Sequence, residues 1–105
     1  METMKKTANQ NCPIARAALL LSDAWTMLIL RDLGRKPMRF NELLDSLKTI
    51  STRTLTLKLK RLETLGMVRK RDAHHYALTP GGAKIKPVLK AMERCGKYFS
   101  RISAG

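Results

Sequence analysis

The sequence predicts a mainly α-helical domain with one small β-hairpin, and three observations predict it. Apolar residues recur at helical spacing along most of the chain from Cys12 to Ile102. Only between Met67 and Thr79 does the period shorten to that of a strand, interrupted by the turn Asp72-Ala73-His74. Gly34, Gly66 and Pro80-Gly81-Gly82 stand where these patterns stop. Residues 1–11 are polar and read as a flexible N-terminal arm, and residues 12–105 read as one domain. A chain of 105 residues is long enough for a single modest core, built here mostly from aliphatic side chains.

Taken in order, Cys12-Pro13 opens the first helix, because proline suits the first turn, where its missing N–H costs nothing. Ile14, Ala17, Ala18 and Leu21 share one face, and the helix runs to about Ser22. Asp23 is the next N-cap. Trp25, Met27, Leu28, Ile29, Leu30 and Leu33 then make a helix apolar nearly all round, which belongs in the middle of a fold with Trp25 as a core anchor. Gly34 ends it, and Arg35-Lys36-Pro37 is a turn. Phe40 to Leu47 is a short third helix with Phe40, Leu43, Leu44 and Leu47 inward. Lys48-Thr49-Ile50 connects it tightly to the stretch Ser51 to Gly66. There Ser51 is the N-cap, Leu55, Leu59 and Leu62 form the apolar seam, and Gly66 lies just past the end. Two helices joined this closely, the second one basic, have the layout of a helix-turn-helix. Met67 to Arg71 and His75 to Thr79 form the hairpin, a wing beside the basic helix. A long last helix follows over residues 81–102, from about Ala83 in its regular part, with an irregularity expected at Pro87. Ile85, Val88, Leu89, Met92, Cys95 and Phe99 line one side of it. With the first helix it offers more apolar surface than one small domain covers, which reads as a dimer interface through the terminal helices.

Charge narrows the partners. The formal net charge is +13, and between Lys48 and Arg71 there are eight basic residues and one acid, Glu63. A cationic face this concentrated suits nucleic acid or an anionic membrane surface. No apolar run approaches the ~20 residues of a membrane span, and Ala17 to Leu21 is too short for a signal peptide, so the expectation is a cytoplasmic protein. Two cysteines make no disulfide framework. No glycine loop for phosphates, zinc-hydrolase histidine pair or nucleophile with a base is present, so neither an enzyme nor a cofactor is expected. His74 and His75 are neighbours in an extended segment and point apart, a poor arrangement for one metal, and wing-tip exposure is expected of them.

The chain resembles the HxlR-type winged-helix transcriptional regulators. The matching residues are Cys12-Pro13-Ile14, Asp23-Ala24-Trp25-Thr26, Leu28-Ile29-Leu30 and Arg39-Phe40-Asn41-Glu42-Leu43. They continue through Ile50-Ser51, Arg53-Thr54-Leu55, Leu59-Lys60, Leu62-Glu63, Gly66-Met67-Val68 and Tyr76-Ala77-Leu78-Thr79-Pro80, with Gly82 and Pro87-Val88-Leu89 beyond. The resemblance implies a homodimer on double-stranded operator DNA that regulates nearby genes as activator or repressor. It also implies, for several members, sensing of an electrophile or oxidant through the cysteine that Cys12 matches. Two features depart from it. The hairpin is shorter than in many relatives, and the late aromatic of the final helix has only Tyr98 or Phe99 as counterparts.

The candidate DNA-binding residues follow from the helix front and the wing. Arg53, Thr56, Leu57 and Lys60 face outward opposite the leucine seam, with Ser51 and Thr52 at the helix start. Arg53 suits a guanine edge and a threonine methyl suits thymine. Arg39, Arg69, Lys70 and Arg71 suit phosphates, which position a protein without specifying sequence. Cys12, at a helix start near Lys5, Lys6 and Arg16, has the surroundings of a reactive thiol and is the redox-sensing candidate. Cys95 reads as a buried small hydrophobe. Two other readings stay open at this level: a winged-helix module docking an acidic protein, and a basic protein binding all duplexes alike.

Overall fold

A computed structural model describes residues 12–103, the last three as helix backbone. The expected arm, residues 1–11 with Lys5 and Lys6, lies outside the described residues. The elements are α1 (Pro13–Leu21), α2 (Ala24–Arg35), β1 (Met38–Arg39), α3 (Phe40–Leu47), α4 (Thr52–Thr64), β2 (Val68–Lys70), β3 (His75–Leu78), a 3-10 turn (Gly82–Ile85) and α5 (Lys86–Ser103). The fold is mainly helical with a small antiparallel sheet.

Helix α2 is the centre. Asp23 caps it, accepting from the Trp25 amide at 3.2 Å and the Thr26 hydroxyl at 2.8 Å. Ile29 and Leu30 are wholly buried, Met27 and Leu33 nearly so, and Trp25 and Leu28 pack against that core. Asp32 is buried too, paired with Arg31 at 3.0 Å. The helix does not stop at Gly34 but runs through Arg35. Pro37 forces the residue before it out of the helical region, and Lys36 is extended at φ −166° and ψ 159°.

Helix α3 has the expected bounds and buries Leu43 and Leu47. Its link to α4 turns without glycine: Lys48 takes φ 60° and ψ −65°, and the Thr49 amide donates to the Leu47 carbonyl at 2.6 Å. That is a γ-turn, a strained conformation for a side-chain-bearing residue. Helix α4 begins where Ser51 accepts from the Thr54 amide at 3.0 Å. It ends in a Schellman closure: the Met67 amide donates to Leu62 and the Gly66 amide to Glu63, both at 3.0 Å, with Gly66 at φ 77°. Leu55, Leu59 and Leu62, at most 1 % exposed, pin it to the core.

The sheet has three strands where the sequence suggested two. Its order is β1-β3-β2, with Met38 opposite Tyr76 and Val68 opposite Leu78. Beyond β3, Thr79 latches the chain. Its hydroxyl donates to the Gly66 carbonyl at 2.5 Å and accepts from the Gly82 amide at 2.9 Å. The irregularity expected at Pro87 falls ahead of it: a 3-10 turn over Gly82–Ile85 precedes the α-helix, which starts at Lys86 rather than near Ala83. Pro87 then falls in its first turn, where no amide is needed.

Cys95 corrects an expectation. It is exposed, as are Met92, Tyr98 and Phe99 on α5, because beyond Ala91 this helix runs past the body that its first turns cover. Helix α1 buries no residue fully, and Ile14 is 80 % exposed. Among the described residues no single helix is long and apolar enough to cross a membrane.

Candidate nucleic-acid interface

The seam that holds α4 also fixes what it presents. With Leu55, Leu59 and Leu62 inward, Arg53, Thr56, Leu57, Lys60 and Arg61 stand on the opposite side and are exposed. Ser51 and Thr52 are exposed at the helix start, and Arg39, Arg69, Lys70 and Arg71 are exposed around it. None of the ten residues named for DNA contact is taken into the core. Ser51 and Thr56 have structural duties as well: the Ser51 hydroxyl donates to Thr54 Oγ1 at 2.9 Å, and Thr56 Oγ1 donates to the Thr52 carbonyl at 2.8 Å.

The structure joins helix and wing through a strand that sequence reasoning missed. Strand β1 pairs Met38 with Tyr76 and Arg39 with His75, bringing the start of α3 against the wing. Between α3, α4 and the wing lies an open groove of about 420 Å³, lined among others by Arg39, Thr56, Lys70, His74 and Tyr76. No acid lines it. Lys70 is held over the Tyr76 ring, its Nζ 5.7 Å from the centroid. This contact anchors the stem while the ammonium stays in water.

Two acids near this face, Glu42 and Asp72, are held by partners. Glu42 accepts from the Arg39 amide at 2.8 Å, and that bond, against slight desolvation, holds its carboxyl below the usual range with help from Lys36, His75 and Arg39. Asp72 closes the wing turn. It accepts from the His74 amide at 2.8 Å, the His75 amide at 2.9 Å and the His75 ring at 3.0 Å. Chiefly the His74 amide, then the His75 ring, lowers its pKa to about 2. His75 is thus half-buried and partnered, whereas His74 is exposed as expected for both. Among the described residues no cluster of three metal-ligating side chains occurs.

Cys12 is the N-cap of α1. Its carbonyl accepts from the Arg16 amide at 3.1 Å while its thiol makes no capping bond, and the residue is half-buried. Cys12 and Cys95 are both free.

Comparison with known proteins agrees with this fold. The model of the HxlR-like helix-turn-helix family matches residues 20–103. The chain is 42 % identical over 92 residues to an HTH-type transcriptional regulator of Synechocystis sp., covering 81 % of this chain and 67 % of that protein. It is similar to the quinone-bound YodB of Bacillus subtilis, with TM-score 0.76 and 31 % identity over 84 % of this chain and all of that one. It is also similar to the redox regulator HypR in its oxidised form, with TM-score 0.75 and 27 % identity over 83 % of this chain and 96 % of that one.

Proposed function

We propose, for a chain that belongs to the HxlR-like helix-turn-helix family and is a transcriptional regulator of that type, a specific way of meeting DNA. Helix α4 enters the major groove with Arg53, Thr56, Leu57 and Lys60 towards base edges, and Ser51 and Thr52 lead its N-terminal end. Arg39 and the wing cations Arg69, Lys70 and Arg71 lie against phosphates on either side. One observation carries the reading: the leucine seam consumes one side of α4 and leaves its cationic and hydroxyl side open to solvent.

The regulator works as a homodimer through α1 and α5, whose Ile14, Met92, Tyr98 and Phe99 are exposed apolar groups beside a covered core. Two copies then set their α4 helices on half-sites about one DNA turn apart, roughly 34 Å. Cys12 makes operator affinity responsive to an electrophile or oxidant. The likeness to a quinone-bound regulator and to a redox regulator supports this, together with the half-buried thiol at the start of α1. Such a protein acts where the chromosome is, in the cytoplasm.

Selection of bound fragments from genomic DNA, followed by footprinting, tests the assignment. The expected result is one enriched motif protected as two halves about a helical turn apart. Failure to bind any duplex at low salt would instead favour docking to an acidic protein, and equal binding to all duplexes a nonspecific role.

A further inference from the structure

One cation of α4 does not belong to the open front. Lys58 lies on the flank towards α2, and its Nζ pairs with Asp23 Oδ2; the side chains are 28 % and 19 % exposed. Asp23 already caps α2 through the Trp25 amide and binds the Thr26 hydroxyl. Partial burial pushes its carboxyl up, but Lys58, Thr26 and Trp25 together hold it below its ordinary value. Asp23 also stands at the elbow where α1 and α2 meet at 89°. One carboxylate therefore ties together the elbow, the start of the central helix and the basic helix.

We propose that Asp23 and Lys58 are positioning residues that set how α4 is rotated about its own axis, and hence which of its front side chains reach base edges. This rests on the reading of α4 as the DNA-reading helix. The rest of the seat is aliphatic: Leu55, Leu59 and Leu62 hold α4 by burial, which resists removal but is weakly directional. A charge-assisted bond on the flank of that stripe is directional and opposes rolling of the helix along it. Neither residue needs to touch DNA to act. Their contribution is to the registration of Arg53 and its neighbours, so it falls on discrimination between sequences more than on attraction to phosphate.

Asp23→Asn separates positioning from simple charge. Asparagine is a good N-cap, so α2 keeps its start, while the ion pair is lost and the protein becomes more positive by one charge. Simple electrostatics predicts tighter binding to every duplex. Positioning predicts the opposite for the selected operator: a loss of roughly three- to tenfold, with random duplex bound as well as or better than by the unaltered protein. Lys58→Met should lower the ratio of operator to random affinity similarly, and Lys58→Arg should restore it. Thermal melting checks that each variant is folded, and Lys58→Met carries the test if Asp23→Asn is not. An Asp23→Asn protein that binds the operator as tightly as the unaltered one, or an unchanged ratio in Lys58→Met, overturns the proposal. An unaltered protein that shows no operator at all overturns the reading of α4 itself.

Discussion

Gly82 lies so close to Met67 that a Cβ built on it would stand 2.0 Å from the Met67 carbonyl oxygen. The contact is backbone on one side and a turn pinned by Thr79 on the other, so neither can yield cheaply. Gly82→Ala should cost roughly 2–4 kcal/mol, read as a fall in the denaturation midpoint without a change of slope. A variant as stable as the parent would mean that the turn rearranges freely.

Arg53 and Arg71 should fail differently. Arg53→Ala is expected to cost about 1–3 kcal/mol on the operator and much less on random duplex, because a base contact is lost. Arg71→Ala should weaken both alike and flatten the salt dependence by about one unit of slope. Mobility shifts over a salt series separate the two. Equal losses for Arg53→Ala would remove it from base readout.

Ser51 combines a cap with a place on the proposed interface, and two substitutions part these roles. Ser51→Ala breaks the bond to the Thr54 amide and should cost about 1 kcal/mol of stability. Ser51→Asp keeps a capping oxygen, so stability should hold, while its charge repels phosphate and DNA affinity drops. Chemical denaturation beside mobility shifts gives both readouts.

The contribution of Asp72 to the wing turn should be lost only in acid. The Asp72 pKa of about 2 lies below the ordinary 3.8, so the group is more acidic in the folded state. Its stabilising effect is then full above about pH 4 and is lost as pH falls through about 2. A carboxyl titration by NMR should show that low midpoint. Asp72→Ala should speed amide exchange at His74 and His75, whose N–H groups lose their acceptor.

Diamide or a quinone should change operator affinity, and Cys12→Ser should abolish the change. Cys95→Ser serves as the comparison, since Cys95 is exposed and can also react. A full response in Cys12→Ser would move the sensing role elsewhere.

Local signals made most of this legible before any coordinates. Asp23 and Ser51 cap the helices they precede, Gly66 takes the positive φ its position requires, and the leucines at 55, 59 and 62 share one buried stripe. What stayed hidden depends on distance along the chain. Strand β1 is two residues long, too short to leave a period, and exists only by pairing with His75 and Tyr76. Lys58 reads as one more cation of a basic helix until α2 brings Asp23 beside it. Cys95 sits at a helical apolar position, and periodicity gives the face of a residue but not whether the protomer itself covers that face.

Strand β1 carries a consequence for the nucleic acid rather than the protein. Because Met38 and Arg39 are laddered to Tyr76 and His75, the wing is stitched to the start of α3 and has no hinge of its own there. In the proposed complex, reader and wing would present a fixed span, and a mismatch in groove width or twist would have to be absorbed by bending of the double helix. Sites rich in pliant pyrimidine–purine steps would meet that demand at lower cost, so the proposed mode of binding makes deformability at uncontacted base pairs part of operator choice.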